Sequence, residues 1–365
     1  MPKVIVVGAG MIGSSVAFRL VQSGVEVVVV DRAEPASGTT GSSFAWVNAN
    51  EKIPRSYFDL NVAGMREHDR LEGELGGAPW LHRVGNLTWT GDPVRYDELC
   101  RRMERLQSWG YNAAWLAAED VNQRLEPGLT FSGPNMRVAW FPDESWLDGP
   151  LFARSMLDRA AYAGGTLRTG QAVTGLNRTG AGYVATLADR TRIEADAVVN
   201  AAGPDADQIS GMLGRHLPLS PSRGLLVRVA VEGQPLGRIV HGTDINVRPD
   251  GAGFLMLHHE SADPLLGDRD TIPPDDSRCR DLCKRARRVL PGISAARISE
   301  ARIGVRPFPR DGVSCLGEVP GIPGFYEAVT HSAVTMGPLV GRLIADEIVL
   351  GNVDPMLTEF RPGRF

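Results

Sequence analysis

The first thirty residues contain two apolar runs separated by an amphipathic stretch. Residues Val4–Val7 are a short, fully apolar run that ends at Gly8, which is typical of a buried parallel strand. In Ser14–Gln22 the apolar residues recur four positions apart, which predicts a helix that Gly24 ends. The run Val25–Val30, apolar except for Glu26, predicts a second buried strand. Together these elements predict a β-α-β unit at the start of the chain.

The remaining chain alternates between helical and strand-like patterns. Helical periodicity occurs in five further segments, Asn61–Leu75, Tyr96–Gly110, Leu151–Ala163, Asp275–Leu290 and Met336–Leu350. Strand-like patterns occur in Asn86–Thr90, Leu167–Leu187, Ala197–Ala202, Leu225–His259 and Phe325–Val329. Within the fourth of these, Ile245–Arg248 and Phe254–His258 flank a Gly-rich turn, which predicts an antiparallel hairpin.

Elements typical of nucleotide-binding folds therefore lie at both ends and in the middle of the chain. This distribution predicts an α/β protein with one discontinuous Rossmann-type domain and a second, α+β domain built from two insertions. We expect the first domain to comprise residues 1–50, 151–220 and 305–365. The second domain would then comprise residues 51–150 and 221–304.

Composition narrows the class of protein. The chain has 365 residues, 43% hydrophobic and 22% charged, which is ordinary for a globular protein. A formal net charge of −4 argues against binding to nucleic acid, which favours a basic surface. Only three of the 39 basic residues are lysines (Lys3, Lys52 and Lys284), so an arginine at any one position is weak evidence for a site.

Several other classes are disfavoured. The four cysteines form no metal-ligand spacing, so we expect no metal site, and Cys279 and Cys283 share one face of a predicted helix as reduced thiols. No run of 18 apolar residues occurs, so no membrane span is expected. The apolar N-terminal run lacks the basic region and cleavage site of a signal peptide. We therefore expect a cytoplasmic protein.

A dinucleotide-binding fingerprint links the first strand to the first helix. In the segment GAGMIG, Gly8 permits the tight turn, Gly10 lets a pyrophosphate approach the backbone, and Gly13 allows close packing of the helix on the strand. Asp31 ends the second strand 21 residues after Gly10, where its carboxylate can bind an adenosine ribose. An acid at this position disfavours NADP, whereas NAD and FAD both fit.

Six segments, in this order, carry a resemblance to a known family. They are GAGMIGSSVAFRL at 8–20, DR at 31–32, ASGTTGSS at 36–43, VVNAAG at 198–203, GVRPFPRDG at 304–312 and HSAVTMGP at 331–338. The set resembles the D-amino-acid oxidase/glycine oxidase family of flavoenzymes. The resemblance implies FAD as the cofactor, a discontinuous FAD-binding domain, and a substrate domain with a large mixed sheet.

The resemblance also implies which residues contact FAD. They are Gly8, Gly10, Met11, Ile12, Gly13, Asp31, Arg32, Thr39, Thr40, Ser42, Ser43, Val173, Ala202, Gly203, His331, Ser332, Ala333, Val334, Thr335 and Met336. A helix that starts near Thr335 would direct its amides at the flavin N1–C2=O edge, where negative charge develops on reduction. Covalent attachment in relatives uses a His near the first loop or a Cys near the GxRP strand. The first loop here has no His, and Cys315 lies nine residues past Arg306, so we expect non-covalent FAD.

The resemblance places the substrate carboxylate on Arg306, within Gly304-Val305-Arg306-Pro307. A guanidinium can bind a carboxylate through two parallel hydrogen bonds, which suits this catalytic role. Asn48 and His258 are candidate polar groups of the pocket, and His259 is a weaker candidate. Ala333 stands where glycine-oxidase-like proteins can carry a second Arg. A pocket with one Arg would hold glycine weakly and accept a larger group on nitrogen.

The expected reaction is oxidation of an amino acid or an N-substituted amino acid. Hydride would pass from the carbon next to nitrogen to flavin N5, the imine would hydrolyse, and O₂ would be reduced to H₂O₂. Two alternatives stay open, a dehydrogenase that uses a quinone or protein acceptor and a flavoprotein subunit of a larger complex. An NAD-dependent dehydrogenase is disfavoured because it would not need the HSAVTMGP segment. The oligomeric state is also open, with a homo-oligomer as one possibility.

Overall fold

The computed structural model describes residues 2–131 and 136–365. Within these residues the α-helices are α1 (Met11–Gln22), α2 (Arg55–Leu75), α3 (Pro93–Ser108), α4 (Ala118–Arg124), α5 (Gly149–Tyr162), α6 (Ala206–Gly211), α7 (Ser277–Val289) and α8 (Ala333–Leu350). The strands of the first half are β1 (Lys3–Val7), β2 (Glu26–Val30), β3 (Trp46–Val47), β4 (Leu81–Arg83), β5 (Asn86–Thr88), β6 (Ala114–Ala117), β7 (Arg137–Phe141), β8 (Ser145–Leu147), β9 (Thr166–Arg168) and β10 (Val173–Thr179). The strands of the second half are β11 (Gly182–Leu187), β12 (Arg192–Ala195), β13 (Ala197–Asn200), β14 (Ser222–Ala230), β15 (Ile239–His241), β16 (Asn246–Pro249), β17 (Phe254–His258), β18 (Arg297–Arg306), β19 (Cys315–Glu318) and β20 (Phe325–Val329).

A six-stranded sheet is built on the N-terminal β-α-β unit, in the order β19-β20-β13-β1-β2-β9. Its strands run parallel except for the antiparallel pair β19 and β20. Val4 of β1 lies between Val27 of β2 and Ala197 of β13 and is fully buried. One face of the sheet packs against α1, α5 and α8, and the other against the antiparallel sheet β10-β11-β12. Because both faces are covered, the central strands β1, β2 and β13 are apolar over most of their length.

A second sheet of eight strands has the order β18-β14-β17-β16-β15-β5-β7-β6. Neighbouring strands are antiparallel except for the parallel pair β15 and β5, so the sheet is mixed. The predicted hairpin is present as β16 and β17. Helix α7 packs against this sheet through a buried stripe that includes Cys279 and Cys283, both of them free thiols. These two sheets confirm the predicted fold class.

The strands of the two sheets come from different parts of the chain. The six-stranded sheet takes its strands from residues 3–30, 166–168, 197–200 and 315–329, and the eight-stranded sheet from residues 86–141 and 222–306. Strand β18 runs across the predicted boundary between residues 304 and 305. The division into two domains stays a prediction.

Helix α8 begins at Ala333, earlier than the expected start near Thr335. Pro338 lies inside this helix and has no N–H to donate to the carbonyl four residues earlier, that of Val334. His68 of α2 satisfies that carbonyl instead, with its Nε2 2.9 Å from the oxygen. Burial lowers the pKa of His68 to about 4, so its ring is neutral and can donate this single N–H. The contact with α2 therefore allows the helix to extend N-terminal to the proline. Among residues 2–131 and 136–365, no helix is both long and apolar enough to cross a bilayer.

Candidate active site

A cavity of about 1700 Å³ extends from the six-stranded sheet to the eight-stranded sheet. Its first part lies at the carboxyl ends of β1, β2, β13 and β20, at Gly8, Asp31, Ala202 and Thr330. Ligands of parallel α/β sheets bind outside the carboxyl ends of the strands. Its second part is lined by side chains of β14, β15, β16, β17 and β18. The volume exceeds that of an ordinary small-molecule pocket, which leaves room for a dinucleotide and a further ligand.

The glycines of the fingerprint meet three different requirements. Gly8 has a φ of +109°, and a Cβ there would lie 2.4 Å from the carbonyl oxygen of Ala201. A Cβ at Gly13 would lie 1.8 Å from the carbonyl oxygen of Gly8, so Gly13 serves the packing of α1 on the turn and does not line the cavity. A Cβ at Gly10 would approach Thr40 Oγ1 to 2.9 Å. A side chain at Gly10 would therefore fill the cradle, which is the part of the cavity between the turn at Gly8–Gly10 and Thr40.

Polar groups around this cradle are already held in place. Asp31 accepts hydrogen bonds from the backbone N–H of Ala9 at 2.6 Å and of Ala33 at 2.9 Å. Thr40 Oγ1 accepts the backbone N–H of Met11 at 2.9 Å, next to the start of α1. Arg32 forms an ion pair with Asp205 at 2.8 Å. The carboxylate of Asp31 has lone pairs left for a ribose hydroxyl, since each of its oxygens accepts one of these backbone bonds.

The start of α8 forms another wall. The first residues of this helix, Ala333 and Val334, line the cavity, and the side chain of Ser332 at the N-cap does not accept an N–H from the helix. The first amides of an α-helix have no partner within the helix, so they can bind a negatively charged group. His331 lies beside them, stacked on Phe308 with ring centroids 4.1 Å apart.

His331 is a neutral ring with a buried, unpartnered nitrogen. Its Nδ1 is buried and meets no hydrogen-bond partner among the described residues. Burial lowers its pKa to about 3, and the positive charges of Lys52 and Arg306 act in the same direction. With its glycine cradle, the uncapped start of α8 and this orphaned polar atom, the cavity has the donors and the space that FAD requires.

The predicted site residues divide into two groups. Those that line the cavity are Gly8, Gly10, Met11, Ile12, Asp31, Arg32, Thr39, Thr40, Ser42, Ser43, Val173, Ala202, Gly203, His258, Arg306, His331, Ala333 and Val334. Those that lie behind its wall are Gly13, Asn48, Ser332, Thr335 and Met336. The Ser332 hydroxyl lies 2.9 Å from the Tyr57 hydroxyl, and Met336 is fully buried in the core. These residues support the wall from behind.

Arg306 lines the cavity but is not a free cation. Its Nη2 is hydrogen-bonded to Asp263 and to the carbonyl of Arg223. Its Nε and Nη1 meet no acceptor among the described residues, and Nε is buried. The guanidinium lies over Gly224, where a Cβ would approach Nη2 to 3.0 Å. Both donors of Nη2 are therefore occupied, one by Asp263 and one by the Arg223 carbonyl, while those of Nη1 are available to a ligand.

His258 is the second predicted substrate residue on the wall. Its Nδ1 lies 3.0 Å from the carbonyl oxygen of Leu225, which can only accept, so Nδ1 carries the proton and Nε2 has a free lone pair. Burial lowers the pKa of this ring, while Asp263 acts to raise it. Asn48 is placed differently, since its amide donates to the carbonyl of Trp46 and its backbone N–H donates to Thr335. It ties the Trp46 loop to α8.

Other groups on the wall were not indicated by the sequence motifs. They are His241, Glu51 and Arg102, and the sequence motifs also did not indicate Asp263, which pairs with Arg306 from outside the cavity lining. Arg102 pairs with Glu51. Burial acts to raise the pKa of Glu51, but the charge of Arg102 holds it below its usual range. On α3 the cavity-lining residues Arg95, Glu98, Arg102 and Arg105 recur at helical spacing, which is a pattern that could have identified this face. No such spacing in the sequence could have identified Asp263.

Comparisons with known proteins agree with this geometry. A model of the family described as DAO, FAD dependent oxidoreductase, matches residues 3–347. The glycine oxidase of Bacillus licheniformis is 25% identical over 365 residues, which cover 98% of this chain and 94% of that protein. The crystal structure of glycine oxidase from Geobacillus kaustophilus superposes with a TM-score of 0.88 at 21% identity and covers 100% of both chains. That of iminodiacetate oxidase from Chelativorans sp. BNC1 has a TM-score of 0.83 at 24% identity and covers 98% of both chains. Both solved structures share the fold of this chain.

Proposed function

We propose that this chain, which belongs to the DAO family of FAD-dependent oxidoreductases, oxidises the C–N bond of an N-substituted glycine or a related amino acid. The observation that carries the proposal is that Arg306 and His258 line the same cavity as the FAD cradle. The glycine and iminodiacetate oxidases named above support an amino or imino acid as the substrate.

We infer that FAD is held by the glycine cradle, Asp31 and the start of α8. The ribose would bind the Asp31 carboxylate, the pyrophosphate would lie at the start of α1, and the flavin would lie against Ala333 and Val334. When bound, FAD supplies the acceptor for the hydride that leaves the carbon next to nitrogen. Cys315 is fully buried and does not line the cavity, which supports non-covalent binding.

The residues of this chain bind and orient the substrate. Nη1 of Arg306 meets no acceptor among the described residues, so its N–H groups can donate to a substrate carboxylate, and the positive charge of the guanidinium strengthens that contact. The free Nε2 of His258 can accept a hydrogen bond from the amine N–H of the same molecule. A substrate held at both ends would present one C–H to the flavin in a constant orientation, which is how positioning lowers the barrier.

The cavity wall at Ala333 supports an N-substituent. Ala333 contributes a methyl group to the cavity and no second guanidinium. A free glycine would therefore be held by one guanidinium, itself partly neutralised by Asp263. Beyond this point the cavity continues along the eight-stranded sheet, where a larger group on nitrogen would fit.

The test is anaerobic bleaching of the flavin absorbance by a panel of substrates. The panel contains glycine, sarcosine, larger N-alkyl and N-carboxymethyl amino acids, D-amino acids and proline. We expect at least one N-substituted glycine to reduce the flavin with a higher ratio of rate to Kd than glycine. Glycine outperforming every N-substituted analogue would refute the substrate class, and no reduction by any amine would refute the reaction.

The electron acceptor is tested separately. We propose that O₂ reoxidises the flavin and gives H₂O₂, so one peroxide should form for each substrate oxidised in air. A reduced flavin that persists in air and is reoxidised by a soluble quinone would instead support the dehydrogenase alternative.

A further inference from the structure

Four polar residues form a row across the eight-stranded sheet and line the cavity. His258 of β17 is paired with Asn246 of β16, Asn246 with His241 of β15, and His241 with Thr88 of β5. Residues paired across neighbouring strands point to the same face of a sheet. Adjacent strands lie about 4.8 Å apart, so His241 lies roughly 10 Å beyond His258 along the row. A glycine bound at Arg306 cannot reach His241, but a group extending from its nitrogen can.

A hydrogen-bonded chain fixes the proton on the His241 ring. Nδ1 of His241 lies 2.8 Å from Asn86 Oδ1. The amide nitrogen of Asn86 donates to Glu144 Oε2 at 3.0 Å and to Thr88 Oγ1 at 3.2 Å, so the amide oxygen must be the atom that faces the ring. Nδ1 of His241 therefore carries the proton, and Nε2 keeps its lone pair. Nε2 meets no partner among the described residues, and its ring lies on the cavity wall.

Glu144 holds this arrangement from the protein interior. It is fully buried, and its Oε2 accepts from Trp46 Nε1 and Asn86 Nδ2. Its Oε1 faces Asn50 Nδ2 and the Tyr111 hydroxyl, each at 2.8 Å. Burial raises the pKa of Glu144 to about 8, whereas its four hydrogen bonds act to lower it. The orientation of Asn86 therefore has to hold for both the ionised and the neutral carboxyl. The neutral acid can carry its proton on Oε1 towards the Tyr111 oxygen. Oε2 is thus an acceptor in both states, and the orientation of Asn86 is the same in both.

The surroundings of His241 keep the ring neutral and in place. Burial lowers its pKa to about 3, with Glu51 acting to raise it and Arg102 acting to lower it. The ring packs on Trp46 with centroids 4.1 Å apart and on Phe44 with centroids 5.7 Å apart. Since Trp46 is itself bound to Glu144, the ring has little freedom to turn over.

We propose that Nε2 of His241 is a fixed hydrogen-bond acceptor in a distal subsite, and that it selects an N-substituent whose far end carries an O–H or N–H donor. The inference rests on the proposed function, because it assumes that the carboxylate of the same molecule binds Arg306. A carboxylate at the far end of the substituent would be disfavoured at this position, since its negative charge would meet the lone pair of Nε2. His241 is a specificity residue that lies away from the reacting carbon.

The test compares three glycines whose N-substituents have the same length. They are N-(4-hydroxybutyl)glycine, N-pentylglycine and N-(3-carboxypropyl)glycine. Anaerobic flavin reduction gives a Kd and a limiting rate for each. We expect the hydroxyl compound to bind about 3- to 10-fold more tightly than the pentyl compound, as for one hydrogen bond. The limiting rates should be similar, because the three compounds react at the same carbon.

Two variants and one control assign the preference to His241. His241→Phe keeps an aromatic ring on Trp46 but removes the acceptor, so the ratio of the two Kd values should fall to about 1. Asn86→Leu removes the group that fixes the proton on Nδ1, so the preference should fall while the pentyl compound binds as before. His82→Phe is the matched control, because His82 also stacks on a tryptophan, Trp146, but lies outside the cavity lining. It should keep the wild-type ratio.

The outcomes separate this inference from the proposed function. If none of the three compounds reduces the flavin, the proposed function fails. If all three reduce it but the carboxylate compound binds most tightly, or if His241→Phe keeps the hydroxyl preference, the reaction stands and the distal acceptor is refuted.

Discussion

Replacing Arg306 with alanine should weaken substrate binding through two separate effects. The variant loses a charge-assisted contact with the substrate carboxylate, which contributes about 2–4 kcal/mol, or roughly 30- to 1000-fold in kcat/KM. It also leaves Asp263 without its partner, and the side chain of Asp263 is only 12% exposed. A substrate carboxylate would then approach an unpaired negative charge that solvent screens only partly. We therefore expect a loss in the upper half of that range.

A double variant separates the two effects. Two like charges about 6 Å apart interact by roughly 3 kcal/mol at an effective dielectric constant of 20, and partial exposure of Asp263 reduces this to about 1–2 kcal/mol. Adding Asp263→Ala to Arg306→Ala should therefore recover about 5- to 30-fold in kcat/KM. Arg306→Lys keeps the charge but loses the planar fork, so its activity should lie between those of the wild type and Arg306→Ala.

The assay is anaerobic flavin reduction by the best N-substituted glycine, with FAD content measured for each variant. FAD content should stay normal, because Arg306 is proposed to bind the substrate and not the cofactor. Arg297→Ala is the control, since Arg297 is an exposed arginine at the other end of β18. Unchanged kinetics in Arg306→Ala would refute the carboxylate site. A double variant no better than the single one would refute the repulsion from Asp263.

Three further predictions concern the cofactor and the buried acid. Acid precipitation should release all of the flavin as FAD, and flavin that stays in the pellet would contradict non-covalent binding. Asp31→Ala should raise the Kd for FAD about 10- to 100-fold with little effect on flavin reduction in the loaded enzyme, because the ribose lies far from N5; a large loss in that rate would count against the assignment. The raised pKa of Glu144, about 8 in the fold against 4.5 in the unfolded chain, means that the folded state holds a proton longer. Its contribution to stability is fully present below pH 4.5 and is lost as the pH rises to about 8, by at most about 1.4 kcal/mol per pH unit. The measurement is urea unfolding at several pH values. Between pH 4.5 and 8 the free energy of unfolding of the Glu144→Gln variant should fall less steeply with pH than that of the wild type. Equal slopes would show that Glu144 titrates normally.

The cofactor half of this protein could be predicted from the sequence because its determinants are local. Apolar runs of four to six residues, a glycine turn and an acid at the end of the second strand specify a β-α-β unit through contacts between near neighbours. The hairpin of β16 and β17 was predictable for the same reason, since its turn joins the two strands directly. The start of α8 was less predictable, because it depends on His68 of a distant helix satisfying the carbonyl that Pro338 leaves free.

The substrate half was decided by tertiary structure. The resemblance predicted Arg306 as a substrate residue, but its ion pair with Asp263 joins residues 43 positions apart, and no periodicity marks such a pair. His241, Asn86 and Glu144 come from three separate segments, and only the order and register of β15, β5 and β7 bring them into one hydrogen-bonded chain. A local pattern records which residues face the same side of one strand. Which strand lies beside it depends on the packing of the whole chain, and at this end of the cavity that packing determines which polar atoms meet the substrate.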